Sequence, residues 1–228
     1  MAEDHASHTT RPAGSVTAWM REVQAALGGE ADADVACDGC TACCTASQFV
    51  PVGPDETDTL AHIPSELLFA APRMPPGHVV LGYDEHGRCP MLIDDRCSIY
   101  AHRPRTCRTY DCRVFPASGI EVDGDDPDKA AIGRRARRWR FTHPTPADQV
   151  AHDAVQAAGR FVTEHPEVVS PGGAPVPATA RAVLAVEVHR AFLAADHGSG
   201  GPTLLEHPPG PQAVRVELHR RRRDDPDG

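Results

Sequence analysis

The chain has 228 residues, 40% hydrophobic and 5% aromatic, with 23 Lys and Arg against 32 Asp and Glu. That length gives room for one domain with an extension, and so few aromatics exclude a large aromatic-rich core. A net charge of -9 argues against wholesale electrostatic binding to nucleic acid, and no apolar run approaches the ~18 residues of a membrane span.

Residues 1–14 lack periodicity and are expected to be disordered. The stretch "SVTAWMREVQAALGG" then predicts a helix, capped by Ser15 and ended by Gly28. Its apolar stripe is Val16, Trp19, Met20, Val23 and Leu27. A short helix beginning near Asp55 or Glu56 carries Leu60, and "SELLFA" supplies another turn or two. Over "HVVLGYDEHGRCPMLIDDRCSIY" the pattern predicts short strands with turns at "DEHG" and "DD". Beyond Cys112 the character becomes helical. A helix follows Pro127 and carries Ala131, Ile132, Arg135 and Trp139 on one side. A second is capped by Thr145 with Pro146 in its first turn, and a third runs from about Ala178 to Gly198. Alternation of Val214, Val216 and Leu218 suggests a late strand. The expected fold class is α+β: a small irregular cysteine-rich metal-binding domain with short β-hairpins, followed by a helical extension. The expected division is a disordered N-terminus (1–14), a cysteine-cluster domain (15–119), a helical extension (120–197) and a flexible tail with a short strand (198–228).

All eight cysteines lie between residues 37 and 112. Cys37, Cys40, Cys43 and Cys44 form C-x2-C-x2-C-C, and Cys89, Cys97, Cys107 and Cys112 form C-x7-C-x9-C-x4-C. Buried cysteine serving as a small apolar residue accounts for one or two thiols. It does not account for four within eight residues, whose thiolates repel unless a cation or a bond joins them. The polar, acid-containing N-terminus has no apolar segment behind it, so a cytoplasmic location is expected. A reducing cytosol disfavours a disulfide framework, and adjacent Cys43 and Cys44 pair with each other only under strain. Metal or iron–sulfur ligation is therefore expected. In a helical turn Cys43 and Cys44 point about 100° apart, which suits the pair to two sites or to bridging two metals. In the second block, a strand–turn–strand around Asp94 and Asp95 brings Cys89 near Cys97, and Pro104 starts a short helix carrying Cys107. A bacterial ferredoxin run is incomplete, because Ser47 and Gln48 stand where its fourth cysteine and proline belong. A zinc ribbon lacks its second C-x2-C. Zinc and iron, including an iron–sulfur cluster, both remain open.

"CDGCTACC" followed by "CPMLIDDRCSIYAHRPRTCR" resembles the YkgJ-type cysteine cluster proteins, whose CxxCxxCC domain is described as zinc- or iron-chelating. The matching features are Cys37, Cys40, Cys43 and Cys44, then Cys89-Pro90, Leu92, Cys97, Ile99-Tyr100, Arg103-Pro104 and Cys107-Arg108, with Cys112 at the edge of the pattern. The resemblance spans residues 37–112 and implies metal chelation by these cysteines. It implies no reaction and nothing about residues 113–228.

Arginines 88, 96, 103, 105, 108 and 113 crowd the second block. Guanidinium groups donate hydrogen bonds to metal-bound sulfur and offset its charge; Arg103 and Arg108, beside Cys107 within the motif, are the expected cofactor-contacting pair. His86 and His102 are reserve ligands by proximity. No H-E-x-x-H, phosphate loop or serine elbow occurs, so an ordinary hydrolase or NTPase is not supported. Lys129 is the sole lysine, and the abundance of Arg, Ala, Gly, Pro and Val suggests a GC-rich bacterial genome. The expected partner is a metal ion, with no membrane and no clear protein partner. Two rivals to simple metal binding stand: an iron–sulfur redox or transferase-type enzyme, and a zinc-stapled interaction module whose "RRARRWR" or "HRRRR" segment docks a partner.

Overall fold

The structure, a computed structural model, describes residues 9–33, 35, 39–71, 74–124, 126–170, 172–194 and 201–224. Cys37, most of the N-terminal stretch expected to be disordered and parts of the expected tail lie outside the described residues. The chain divides into two compact units. One comprises Met1–Gln24, Cys112–Val122 and Arg134–Gly228; the other comprises Ala25–Asp111 and Asp123–Gly133. Each is built from separated stretches, whereas the sequence suggested consecutive blocks.

The first unit is mainly helical. Residues Arg11–Ser15 form a strand, not the expected disordered lead, and pair in parallel with Trp139–Thr142. The register shifts between Pro12 and Gly14, where Gly14 takes a φ of 85° that costs glycine little. The helix Val16–Leu27 follows at once, with Val16, Trp19, Met20 and Val23 buried as the stripe predicted. Trp139 sits on the strand, so the helix expected to carry it is shorter, Ala130–Ala136; its start, and the preceding turn that Asp126 caps through the Asp128 N–H at 3.0 Å, belong to the other unit.

The long helix Pro146–Glu164 begins with a capping box. Thr145 and Asp148 exchange side-chain-to-backbone hydrogen bonds and so satisfy two donors that the helix start leaves open. It packs against Ala178–Val188 and Val114–Ser118, burying Ala154, Val155, Ala158, Phe161 and Val162. The third expected helix is cut short at Val188 and continues as a 3-10 turn, His189–Phe192, into the two-residue strand Leu193–Ala194. The segment read as a late strand is instead the helix Pro211–Asp224. Val214 and Leu218, one turn apart, are buried, while Val216 between them is exposed, which is helical rather than alternating burial.

The second unit holds a three-stranded antiparallel sheet in the order Val50–Val52, Val79–Leu81, Leu68–Ala70. Its small core is Val50, Val52, Ile63, Leu81, Met91 and Ile99, with Cys89 and Cys97 packed against it. The hairpin Leu92–Ile93/Arg96–Cys97 turns through Asp94 and Asp95 at φ 48° and 56°, the left-handed pair that a two-residue turn requires. Thr57–His62 and Arg105–Thr109 are short helices where the sequence suggested them. No described helix is long and apolar enough to cross a membrane.

Candidate metal centre

Three separated segments of the second unit converge on one cavity of ≈ 530 Å3, and each brings cysteines to its lining. The first contributes Cys40, Cys43 and Cys44, the second Cys89 and Cys97, the third Cys107. Cys43 and Cys44 lie in a single 3-10 turn, Cys43–Thr45, whose Thr45 hydroxyl donates back to the Thr41 carbonyl at 3.1 Å. Lys129 fastens the stretch after it, its Nζ donating to the carbonyls of Ala46 and Ser47.

The second block is tied directly to the first. The Cys89 N–H donates to the Cys44 carbonyl at 2.7 Å, and the Ser47 N–H donates to the Gly87 carbonyl at 3.0 Å. Asp84 shapes the turn before Cys89 by accepting the N–H groups of His86 and Arg88 at 2.9 and 2.8 Å; the Arg88 N–H in particular holds its carboxyl below the ordinary range. In the hairpin, Leu92 stands opposite Cys97, which carries Cys97 back to the level of Cys89 as the turn at Asp94-Asp95 predicted.

Cys107 rides on the Arg105–Thr109 helix. Glu56 anchors that helix, since one carboxylate oxygen accepts the Gly53 N–H at 2.9 Å and the other accepts the Arg105 N–H at the helix start, where negative charge is favoured. The Thr106 hydroxyl donates to the Pro51 carbonyl at 2.9 Å, joining the helix to the sheet. The sequence reading took Glu56 only as a helix start and Lys129 only as the sole lysine, and it passed over Thr106. The partners Arg105, Pro51 and Ala46 lie 49, 55 and 83 residues away, so no local signal marks these bonds.

The electrostatics are those of crowded, poorly solvated thiols. Burial pushes the Cys107 thiol up to about 12; the neighbouring sulfurs of Cys44, Cys89 and Cys97 add to this, and only Arg103 opposes it among the contributing charges. Cys107 keeps exposed surface, but it lies in the lining of the cavity. Burial also raises Cys89, with Cys97 adding to the effect and the Met91 and Leu92 N–H groups opposing it. Such thiols ionise readily only when a cation takes the proton's place. No disulfide links the described cysteines to one another.

Arg103 lines the cavity, with its guanidinium carbon 3.7 Å from the Tyr100 ring centroid. Its Nε is buried and has no hydrogen-bond partner among the described residues. A stranded donor beside clustered sulfurs fits an anionic thiolate–metal centre, whose sulfurs accept such bonds. Arg108 is not in the lining. Its Nε is likewise buried without a hydrogen-bond partner among the described residues, 3.6 Å from an Asp32 carboxylate oxygen.

Four further expected contributors fall elsewhere. Cys112 belongs to the helical unit, where it is buried and its Sγ accepts the Trp139 indole N–H at 3.2 Å. Arg113, of the same unit, is 3.6 Å from Glu22. His86 is exposed beside Glu85, and neither it nor His102 lines the cavity.

Residues 36–131 match the model of a family described as "CxxCxxCC: Putative zinc- or iron-chelating domain". Over this segment the chain is similar to that family. The match contains every described cysteine of the cavity and extends past Cys112 to the stretch that carries Lys129. Most of the helical unit lies outside it. Neither a curated protein nor a solved structure matches the chain.

Proposed function

We propose that the chain chelates zinc or iron in this cavity through Cys40, Cys43, Cys44, Cys89, Cys97 and Cys107, with Cys37 completing the first block. The observation that carries the reading is the convergence of these six cysteines, from three segments, on one cavity. Cys44, Cys89, Cys97 and Cys107 are close enough to act on one another electrostatically and form the proposed four-thiolate set. Cys40 and Cys43 extend it toward a second metal. A single tetrahedral zinc takes four ligands, so six or seven thiolates call for two ions or a cluster. Cys112 is left out of the set, because the Trp139 contact and burial in the helical unit give it a packing role. Arg103 is the proposed donor to the sulfurs, with Arg108 supporting the charge balance. Reduced thiols of this kind suit a reducing, cytoplasmic environment.

An iron–sulfur centre is the second reading, and the buried Arg103 Nε favours it, because inorganic sulfide adds further acceptors near the cavity wall. Anaerobic purification from the native host, with zinc, iron and acid-labile sulfide counted per chain, tests both. About two metals per chain is the expected result. Sulfide matching iron selects the cluster, and zinc without sulfide selects the thiolate site. Protein that takes up neither metal overturns chelation. Cys44→Ser and Cys107→Ser are expected to lose most of the metal, and His86→Ala to keep it.

A further inference from the structure

The second unit carries another group of ligand side chains that does not line the cysteine cavity. Asp58 and His62 stand four residues apart on the Thr57–His62 helix, and His102 ends the Tyr100–His102 turn. One donor atom from each of the three lies within 4.8 Å of the others. The two imidazole rings stack, with centroids 3.6 Å apart and planes 6° from parallel. His62 Nδ1 is 2.7 Å from the Asp58 carbonyl oxygen, and His102 Nδ1 is 2.6 Å from Asp58 Oδ2.

A carbonyl and a carboxylate only accept hydrogen bonds, so both rings carry a proton on Nδ1. The Nδ1 edges of both rings thus face Asp58, with His62 Nδ1 3.9 Å from Asp58 Oδ1, and a cation binding among the three groups takes the place of these ring protons, which metal binding at histidine releases. A plain contact between helix and turn is already supplied by Asp58 with His102. Among the described residues His62 bonds within its own helix, so its stacking on His102 is not needed for that contact.

We infer that Asp58, His62 and His102 form a second metal site, built of nitrogen and oxygen donors, for a divalent transition ion such as zinc. Two imidazoles and one carboxylate are the donor set of open zinc and non-haem iron sites, which keep positions for water or a small ligand. The side chains are 72%, 41% and 37% exposed for Asp58, His62 and His102, so solvent reaches those positions. Arg108 acts on the Asp58 carboxylate and weakens the site's hold on a cation. The expected site is therefore more weakly binding than the thiolate centre and exchanges its metal faster. No ligand is shared with the cysteines, so the two sites stand or fall separately.

The test is equilibrium dialysis of the full chain, its cysteine-bound metal already in place, against zinc. Wild type is expected to bind about one more zinc per chain than His62→Gln/His102→Gln, with Asp58→Asn in between and cysteine-bound metal equal in all three. Equal zinc uptake by wild type and the double variant overturns the site. A second measurement needs no variant: diethylpyrocarbonate modification of His62 and His102, mapped by mass spectrometry, is expected to slow several-fold when zinc is added to the wild type. An unchanged rate overturns the site as well.

Discussion

Asp148 ties two segments of the first unit together. One oxygen accepts the N–H and hydroxyl of Thr17 at 3.1 and 2.6 Å, and the other accepts those of Thr145 at 3.1 and 2.6 Å. The Thr145 and Thr17 hydroxyls, in that order, hold its carboxyl far below the ordinary range, against the opposing cost of burial. Its folded pKa is depressed, so the stabilisation is fully present above the unfolded pKa of about 4 and is lost as pH falls below it. Asp148→Asn is expected to lower the melting temperature at pH 7 well beyond the exposed control Glu164→Gln, and to flatten the loss of stability between neutral and acid pH. Thermal melts across that range check both. Gly159 makes a different demand, because a Cβ there would run into the carbonyl oxygen of Ser118. Gly159→Ala removes a poor helix former yet is expected to cost about 1–3 kcal/mol from overpacking, measured as a fall in the urea midpoint.

Among the elements, the Pro211–Asp224 helix invites the sharpest test. Val214 is fully buried and Val216 is 56% exposed. As a strand the two would share a face; as a helix they do not. Val214→Asp is expected to cost about 3 kcal/mol by burying an unpaired charge, and Val216→Asp to stay within about 0.5 kcal/mol. Equal losses in chemical denaturation would restore the strand. The hairpin that returns Cys97 holds two aspartates at positive φ, which costs non-glycine residues roughly 1 kcal/mol each. Asp94→Asn/Asp95→Gly places the residues that this turn prefers and is expected to raise stability by about 1 kcal/mol without loss of metal.

The two units differ in what sustains them. The helical unit buries large side chains such as Trp19, Phe161 and Phe192, the last two with ring centroids 5.7 Å apart. The cysteine unit has a small core cluster with no aromatic residue, of which two cavity cysteines form part of the wall. A small core of that kind gains much of its folding free energy from bound metal. Removal of metal by a strong chelator is expected to open residues 39–111 to protease while far-UV helical signal largely persists. The helices Pro146–Glu164, Ala178–Val188 and Pro211–Asp224 all belong to the other unit. Unchanged protease resistance after verified metal removal contradicts this.

Chemistry and local geometry were legible in the amino-acid order. The two cysteine blocks, the turn at Asp94-Asp95, the short helix after Pro104 and the capped helix at Thr145 are each written within a few residues. Their causes — hydrophobic period, capping, turn preference, thiolate repulsion — act over that same range. Only the tertiary structure decided the rest. Arg11–Ser15 is a strand because Trp139–Thr142 accepts it, and a short strand has little intrinsic preference without a partner. The same pairing took Trp139 off its expected helix and gave Cys112 an indole N–H in place of the cavity. Val214 and Leu218 read as alternation until packing buried one side of a helix. The meeting of six cysteines in one cavity likewise depends on the Glu56, Thr106 and Lys129 bonds, whose partners are distant in sequence and become neighbours only when the chain folds.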